Sequence, residues 1–368
     1  MYGIKNQYNC QLNIGGAELA ATPSNILKIE IIENFNQNLP TLALTIQDDS
    51  GLFLDSTASG DGTPISLTLG DGGKSGEQSS TWRIQGSPQV DHGRSCYVIT
   101  MNALLDAISY SRKIASGLYE GNSSQVLSKI AGESGLGFEG SPTSDNQVWL
   151  PNNRSLANFV RHVVNHAYSS AQSVFVAGVT EAKNLKMKDL STLTSGGVSF
   201  GVGTGIPILS YNITSLGAVA NHNRAAGSTS FGYGQDGVAI ELNKITSTLI
   251  GNNLNASSFT QGALGAIGGR LDRIIRDSGN THKKYTEAKH QNTRLRAQYN
   301  CDLHIVTDVF TGVDILTPVT AFPHNLTTVN PASLNTPYCG NYVVSAKTRT
   351  LVGTQYMEKL TLTSQGAN

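Results

Sequence analysis

The sequence predicts a mainly β chain with α+β parts: two similar antiparallel β-barrel-like domains, a small α/β module between them and a helical insertion in the second. Three observations lead there. Short stretches such as Ile65-Ser-Leu-Thr-Leu alternate apolar and polar residues, the two-residue period of a half-buried strand. Two stretches in the middle of the chain change to helical spacing. The 39 glycines, with many Ser, Thr and Asn, supply the tight turns that short strands need. At 368 residues the chain is also longer than a single core usually supports.

Residues 1–111 read as the first β domain. Strands are expected at Asn9 to Ile14, around Lys28-Ile-Glu-Ile-Ile, and at Leu42-Ala-Leu-Thr-Ile-Gln. Three more follow at Ile65-Ser-Leu-Thr-Leu, Trp82-Arg-Ile-Gln and Tyr97-Val-Ile-Thr-Met. Asp71-Gly-Gly-Lys-Ser-Gly and Asp91-His-Gly-Arg are Gly-bearing hairpin loops. About six such strands suit a small barrel or sandwich.

Residues 112–195 form the α/β module. Val126, Leu127 and Ile130 lie at helical spacing behind Asn122 or Ser123 as N-cap. Val148-Trp-Leu-Pro is extended, and Asn153 or Ser155 starts a second helix through Leu156, Phe159, Val160, Val163 and Val164. Ser173-Val-Phe-Val-Ala and Leu185-Lys-Met make a hairpin. Residues 196–245 and 298–368 form the second β domain. Its strands are expected at Ile208-Leu-Ser-Tyr-Asn-Ile-Thr, Val238-Ala-Ile-Glu-Leu, Cys301-Asp-Leu-His-Ile-Val, Val313-Asp-Ile-Leu, Asn341-Tyr-Val-Val-Ser and Tyr356-Met-Glu-Lys-Leu-Thr-Leu. Residues 246–297 read as the helical insertion, with Leu264, Ile267, Leu271 and Ile274 on one face and a polar helix from Lys283 to Arg296.

Two aromatic-led hairpins echo each other. Trp82-Arg-Ile-Gln-Gly leads to Tyr97-Val-Ile-Thr-Met, and Tyr342-Val-Val-Ser-Ala leads to Tyr356-Met-Glu-Lys-Leu-Thr-Leu. A second echo is Gln7-Tyr-Asn-Cys10 with Gln298-Tyr-Asn-Cys301. The layout suggests two β domains of one fold. Three such chains would present six similar modules in a ring, which is a symmetry adapter.

Composition narrows the function. Lys plus Arg equals Asp plus Glu at 26 each, so no long-range field steers polyanions to the chain as a whole. Only 14% of residues are charged, well below the usual quarter, as expected of surfaces covered in an assembly. Low charge also argues against disorder. Cys10, Cys96, Cys301 and Cys339 are too far apart in sequence for a zinc ribbon or redox pair and read as buried thiols. No apolar region follows Lys5 and Asn6 as a signal peptide would require, and no apolar run approaches about 18 residues, so folding in a reducing cytoplasm is expected.

The motifs nominate no catalytic, cofactor-binding or metal site. His162 and His166 stand one turn apart on a helix, but Val163 occupies the place where a metalloprotease helix needs Glu, so a polar helix edge is expected. Gly70-Asp-Gly-Gly-Lys-Ser lacks the first glycine of a P-loop, because position 68 is Thr. Gly201-Val-Gly-Thr-Gly is followed by Ile206-Pro207 in place of a helix start and reads as a linker. Asp48 and Asp49 sit in a turn. The stretch from Arg270 to Arg296 is basic, with Arg273, Arg276, Lys283, Lys284, Lys289 and Arg294, and reads as a solvated helical face or a contact for an acidic partner or passing DNA.

Three stretches carry a resemblance over nearly the whole chain. The first is Ile29-Glu-Ile-Ile-Glu-Asn, then Leu39-Pro-Thr-Leu and Ile46-Gln-Asp-Asp-Ser-Gly-Leu-Phe. The second is Val148-Trp-Leu-Pro-Asn-Asn-Arg-Ser-Leu-Ala-Asn-Phe-Val, followed by Phe175-Val-Ala. The third is Gly340-Asn-Tyr-Val-Val-Ser, a turn, and Tyr356-Met-Glu-Lys-Leu-Thr-Leu. In this order they resemble the baseplate hub proteins of contractile-tailed bacteriophages, the tube-to-spike adapters of the late-control protein D class. The 246–297 insertion departs from that pattern.

The resemblance implies a homotrimer with two tube-like β domains per chain, stacked under the hexameric tail tube, with the trimeric spike on the other side. Neighbouring baseplate proteins surround it, and DNA passes through the lumen at ejection. It carries no catalytic residues; lysozyme activity in such baseplates belongs to a spike domain. The expected location is the virion tail baseplate, assembled in the bacterial host cytoplasm. The alternative is a glycan-binding or glycan-cleaving β protein at a tail tip. An outer-membrane barrel is disfavoured by the helical module and the missing signal peptide.

Overall fold

The computed structural model describes residues 8–19, 25–49, 60–70, 76–92, 96–192, 196–215, 237–241, 250–252, 273–276, 282, 284–285, 288, 299, 301–324 and 334–364. The first β unit runs through β1 (Asn9–Ile14), β2 (Ala17–Leu19), β3 (Ile26–Asn34), β4 (Thr41–Asp48), β5 (Pro64–Gly70), β6 (Glu77–Ile84), β7 (Gln89–His92) and β8 (Tyr97–Leu105). The module contributes α1 (Ile108–Arg112), β9 (Tyr119–Gly121), α2 (Ser123–Glu133), β10 (Gly137–Gly140), β11 (Gln147–Trp149), α3 (Leu156–His166), β12 (Phe175–Val179) and β13 (Asn184–Asp189). The remainder holds β14 (Val198–Gly201), β15 (Ser210–Ser215), β16 (Gly237–Glu241), β17 (Ile250–Asn252), β18 (Arg273–Arg276), β19 (Cys301–Thr307), β20 (Pro318–Phe322), β21 (Gly340–Val352) and β22 (Gln355–Ser364).

The strands follow the alternation read from sequence. In β4, Leu42, Leu44 and Ile46 are buried and the residues between them are half-buried. In β19, Cys301, Leu303 and Ile305 face inward. The module's helices start at polar caps. Asn122 accepts from the Gln125 amide and Gln125 returns the bond, a capping box for α2. Ser155 caps α3, whose Leu156, Phe159, Val160, Val163 and Val164 are buried.

The two β units do not close into separate barrels. Among the described residues, fourteen strands share one open sheet, with the path β15-β19-β22-β21-β3-β4-β8-β6-β5-β1-β2 and β7, β14 and β20 beside it. The reason is the 13-residue strand β21. Its first half pairs with β20 (Val319↔Tyr342) and its second half with β3 (Lys347↔Glu33, Leu351↔Ile29). A register shift between Val344 and Ala346 marks the crossover. The two units keep separate cores all the same. Tyr342 and Val344 pack with Leu303, Ile305 and Leu360, whereas Leu351 and Tyr356 pack into the core of the first unit and module.

Other expectations are corrected. The described parts of 246–297 include strands: β17 and β18 flank β16 in a separate sheet, and Ile274 lies in β18 rather than on a helix. β-Branched Ile274 and Ile275 fit a pleated strand, here parallel to Val238–Glu241. Leu264, Ile267 and Leu271 lie outside the described residues, and of the polar helix Tyr285 and Ala288 are described as helical. Val313-Asp-Ile-Leu is irregular and ends in a turn, where Leu316 takes φ 62°. The strand beyond it, β20, was not legible. The two echoing hairpins also differ. β21 and β22 form one hairpin, whereas β7 lies between β6 and β8 in the chain and pairs with the start of β8.

Candidate functional site: a buried ionic joint between the β units

The crossover on β21 carries charge where the strand pattern calls for apolar residues. Lys347, Arg349 and Leu351 alternate inward, and Lys347 and Arg349 are almost fully buried. The ladders supply their counter-charges. Lys347 stands opposite Glu33 on β3, and Arg349 stands opposite Glu358 on β22. Both carboxylates are buried. The β12–β13 turn of the module closes the site with Glu181, also buried, which pairs with Arg349.

Lys347 Nζ lies 2.9 Å from Glu33 and 3.9 Å from Asp314, and donates to the Val313 carbonyl at 3.0 Å. Glu181 accepts from Ser80 at 2.7 Å, and Ser80 accepts from the Trp82 indole at 2.9 Å. The Glu181 amide donates to Glu33 at 3.3 Å. Glu358 accepts from the Tyr356 hydroxyl at 2.9 Å and from the Thr311 amide at 3.2 Å, and also from the Thr311 hydroxyl. The Arg349 guanidinium lies over Phe310, 5.5 Å from the ring centre. Outside this layer Lys186 bridges Asp314 at 2.8 Å and Glu139 at 3.6 Å, and Glu139 also pairs with Lys188. Tyr8, just before β1, stacks on Tyr356 at 4.5 Å.

Burial alone would depress the Lys347 ammonium, but Glu33, Glu358 and Asp314 outweigh it and hold its pKa above the ordinary value. Burial, with Glu358 beside it, pushes the Tyr356 phenol well above its ordinary range. Glu139 is held below the carboxylate range, chiefly by its hydrogen bond from Lys188. The arrangement is suited to fixing geometry. Buried ion pairs add little net stability but penalise any register in which a charge loses its partner. These pairs tie β21 to β3 and to the β12–β13 turn of the module.

The sequence expectation leaves the site out, because the expected strand Asn341-Tyr-Val-Val-Ser stops short of Lys347. Its signal was present: Lys347 and Arg349 continue an alternating strand on the face of Leu351, as Glu33 continues Ile29 and Ile31. Charges at inward strand positions predict partners, though not which ones.

The motifs singled out in sequence resolve differently. His162 and His166 come together with His282 and Tyr285. His166 stacks on Tyr285 at 4.0 Å, the Tyr285 hydroxyl lies 3.2 Å from His162 Nε2, and His282 Nε2 lies 3.2 Å from the His166 carbonyl. His166 is buried, so the pair is more than a polar edge: it seats His282 and Tyr285 on α3. Among the described residues no group of three or more His, Cys, Asp or Glu could hold a metal ion. Gly70 ends β5 and pairs with Glu77 of β6, which frames a hairpin, while residues 71–75 lie outside the described residues.

Gly201-Val-Gly-Thr-Gly is an ordered turn and not a linker. Thr204 donates to the Gly201 carbonyl at 2.8 Å, and a side chain at Gly201 (φ 102°) would strike the Phe322 carbonyl. Asp48 is buried at the end of β4, whereas Asp49 accepts from Gln47 at 2.7 Å. None of the four cysteines is in a disulfide; Cys301 is buried as expected, whereas Cys10, Cys96 and Cys339 are half-buried, and burial pushes the Cys10 thiol up to about 11. Of the basic stretch, Arg273 and Arg276 belong to β18 and Lys284 is described, while Arg270, Lys283, Lys289, Arg294 and Arg296 lie outside the described residues.

Comparison with solved structures gives the class of fold. The chain is similar to the 43 kDa tail protein of prophage MuSo2 from Shewanella oneidensis, with TM-score 0.58 and 9% identity over 98% of this chain and 97% of that one. It is similar to the tail protein from Neisseria meningitidis MC58, with TM-score 0.58 and 10% identity over 97% of each chain. A third likeness, TM-score 0.52 at 9% identity, covers 97% of this chain and 78% of an Escherichia coli type VI secretion component described as structurally similar to the T4 tail proteins gp27 and gp5. The fold is thus one found in phage tail proteins. No family model and no curated protein matches the sequence.

Proposed function

We propose that this chain is a structural, non-enzymatic hub subunit of a phage-type tail baseplate. It assembles as a homotrimer whose paired β units form a pseudo-six-fold ring, joining the hexameric tail tube to the trimeric central spike and leaving a channel for DNA. Its partners are copies of itself, the tail tube protein, the spike protein and neighbouring baseplate proteins. It acts in the virion baseplate after folding in the host cytoplasm. The observation that carries this reading is the end-to-end likeness to two tail proteins, 97–98% of this chain on 97% of theirs.

The ionic joint supports it, because a ring adapter must hold its two β units at a fixed angle. The sheet edge supports it too. β15 pairs only with β19 among the described residues, and Ser210–Ser215 contains no charge and no proline. Monomeric proteins blunt such edges; an assembly covers them.

Light scattering on the purified chain, of 39.0 kDa, should give a trimer, alone or on adding the spike protein. Averaged electron micrographs down the ring axis should show six similar lobes around a pore. A chain that stays monomeric with its spike and binds oligosaccharide instead would overturn the reading.

A further inference from the structure

Two cavities flank the β3–β4 turn at the joint. The larger, about 350 Å³, lies between that turn, α3 and β12. The smaller, about 230 Å³, lies between the same turn, β12 and the second β unit. They share Phe35, Asn36 and Val176, so they adjoin at the turn as the two ends of a divided cleft. Clefts where domains meet are preferred ligand sites.

The two ends differ in chemistry. The larger is lined by the carboxamides of Asn36, Gln37, Asn38 and Asn165 around an aliphatic floor that includes Val160 and Val164, with Arg161 at the rim. Arg161 donates to the Asn36 carbonyl at 2.8 Å and makes no ion pair among the described residues. Among the described lining residues neither end has an Asp or Glu, and Arg161 is the charged one. The smaller end is apolar, lined by Leu190, Leu316 and Val343. Leu316 is a bulky residue held at φ 62°, a backbone strain that gathers at ligand clamps.

We propose that this cleft binds an extended peptide segment of a partner chain, with an apolar side chain in the smaller cavity and a carboxylate against Arg161. Carboxamides match the alternating donors and acceptors of a peptide backbone, and a guanidinium matches a carboxylate. A saccharide would want an open aromatic face; Tyr110 is buried and Phe35 half-buried. The inference does not rest on the hub reading, since the cleft lies within one chain.

The test uses the full chain with labelled Ile, Leu and Val methyl groups, and acetyl-Leu-Ser-Leu-Ser-Leu as probe, once with a free carboxylate and once as the carboxamide. The acid form should shift the methyl signals of Val160, Val164, Leu190, Leu316 and Val343. The carboxamide should bind about tenfold more weakly, the size of one charge-assisted bond. Arg161→Gln should erase that difference, and Asn36→Trp, an exposed turn position that projects into both cavities, should abolish binding while leaving the remaining spectrum intact. Absence of shifts at millimolar peptide, equal binding of acid and carboxamide, shifts that survive Asn36→Trp, or shifts produced by chitotriose and not by peptide would each overturn the proposal.

Discussion

Replacing Lys347 by methionine removes the cation opposite Glu33 and leaves most of the volume. At 2.9 Å, and with an effective dielectric of about 20, the pair's gross attraction is about 6 kcal/mol. Desolvation of both groups offsets most of that, so the pair itself contributes little. Removing one partner is another matter. Glu33 is 0% exposed and would keep, among the described residues, the Glu181 amide at 3.3 Å, and an uncompensated buried charge costs about 3–5 kcal/mol. The expected loss is therefore about 3–5 kcal/mol in urea unfolding followed by tryptophan fluorescence, since Trp82 lies in the same network.

A double variant, Glu33→Leu with Lys347→Met, should recover much of the loss, because no charge is left stranded. A Lys347→Met chain within about 0.5 kcal/mol of the parent would refute the reasoning, as would a double variant that loses the sum of the two single losses.

Two further outcomes follow from the same structure. Burial raises the phenols of Tyr119 and Tyr285 to about 12 and that of Tyr356 well above its ordinary value, and the surrounding carboxylates raise Lys347. The folded chain thus keeps these protons longer than the unfolded one, so stability should hold below about pH 10 and fall as pH rises through 10 to 12; thermal melts from pH 8 to 11.5 would show it, and a flat melting temperature would contradict it. Gly178 on β12 leaves room for the β3–β4 turn, and a Cβ there would come within 2.8 Å of Phe35 Cα. Gly178→Val should cost about 1–3 kcal/mol by overpacking in chemical denaturation, with an unchanged midpoint as the contrary result.

Sequence alone determined the local elements. Alternation in β4, β5 and β19 and helical spacing in α2 and α3 reflect which side of each element faces a core, and that is written residue by residue. The polar caps Asn122 and Ser155 are likewise local chemistry. The tertiary structure decided how the elements combine. Whether two strand sets close separately or merge depends on which strand β21 meets, and the same alternating surface can pair with β20, β3 or both. The insertion's strands escaped notice because Arg273–Arg276 is too short for its period to show. The ionic joint lay furthest from view. Glu33, Glu181, Lys347 and Glu358 are 148, 166 and 11 residues apart in turn along the chain, and only packing of the two β units against the module turns four ordinary charges into one buried network.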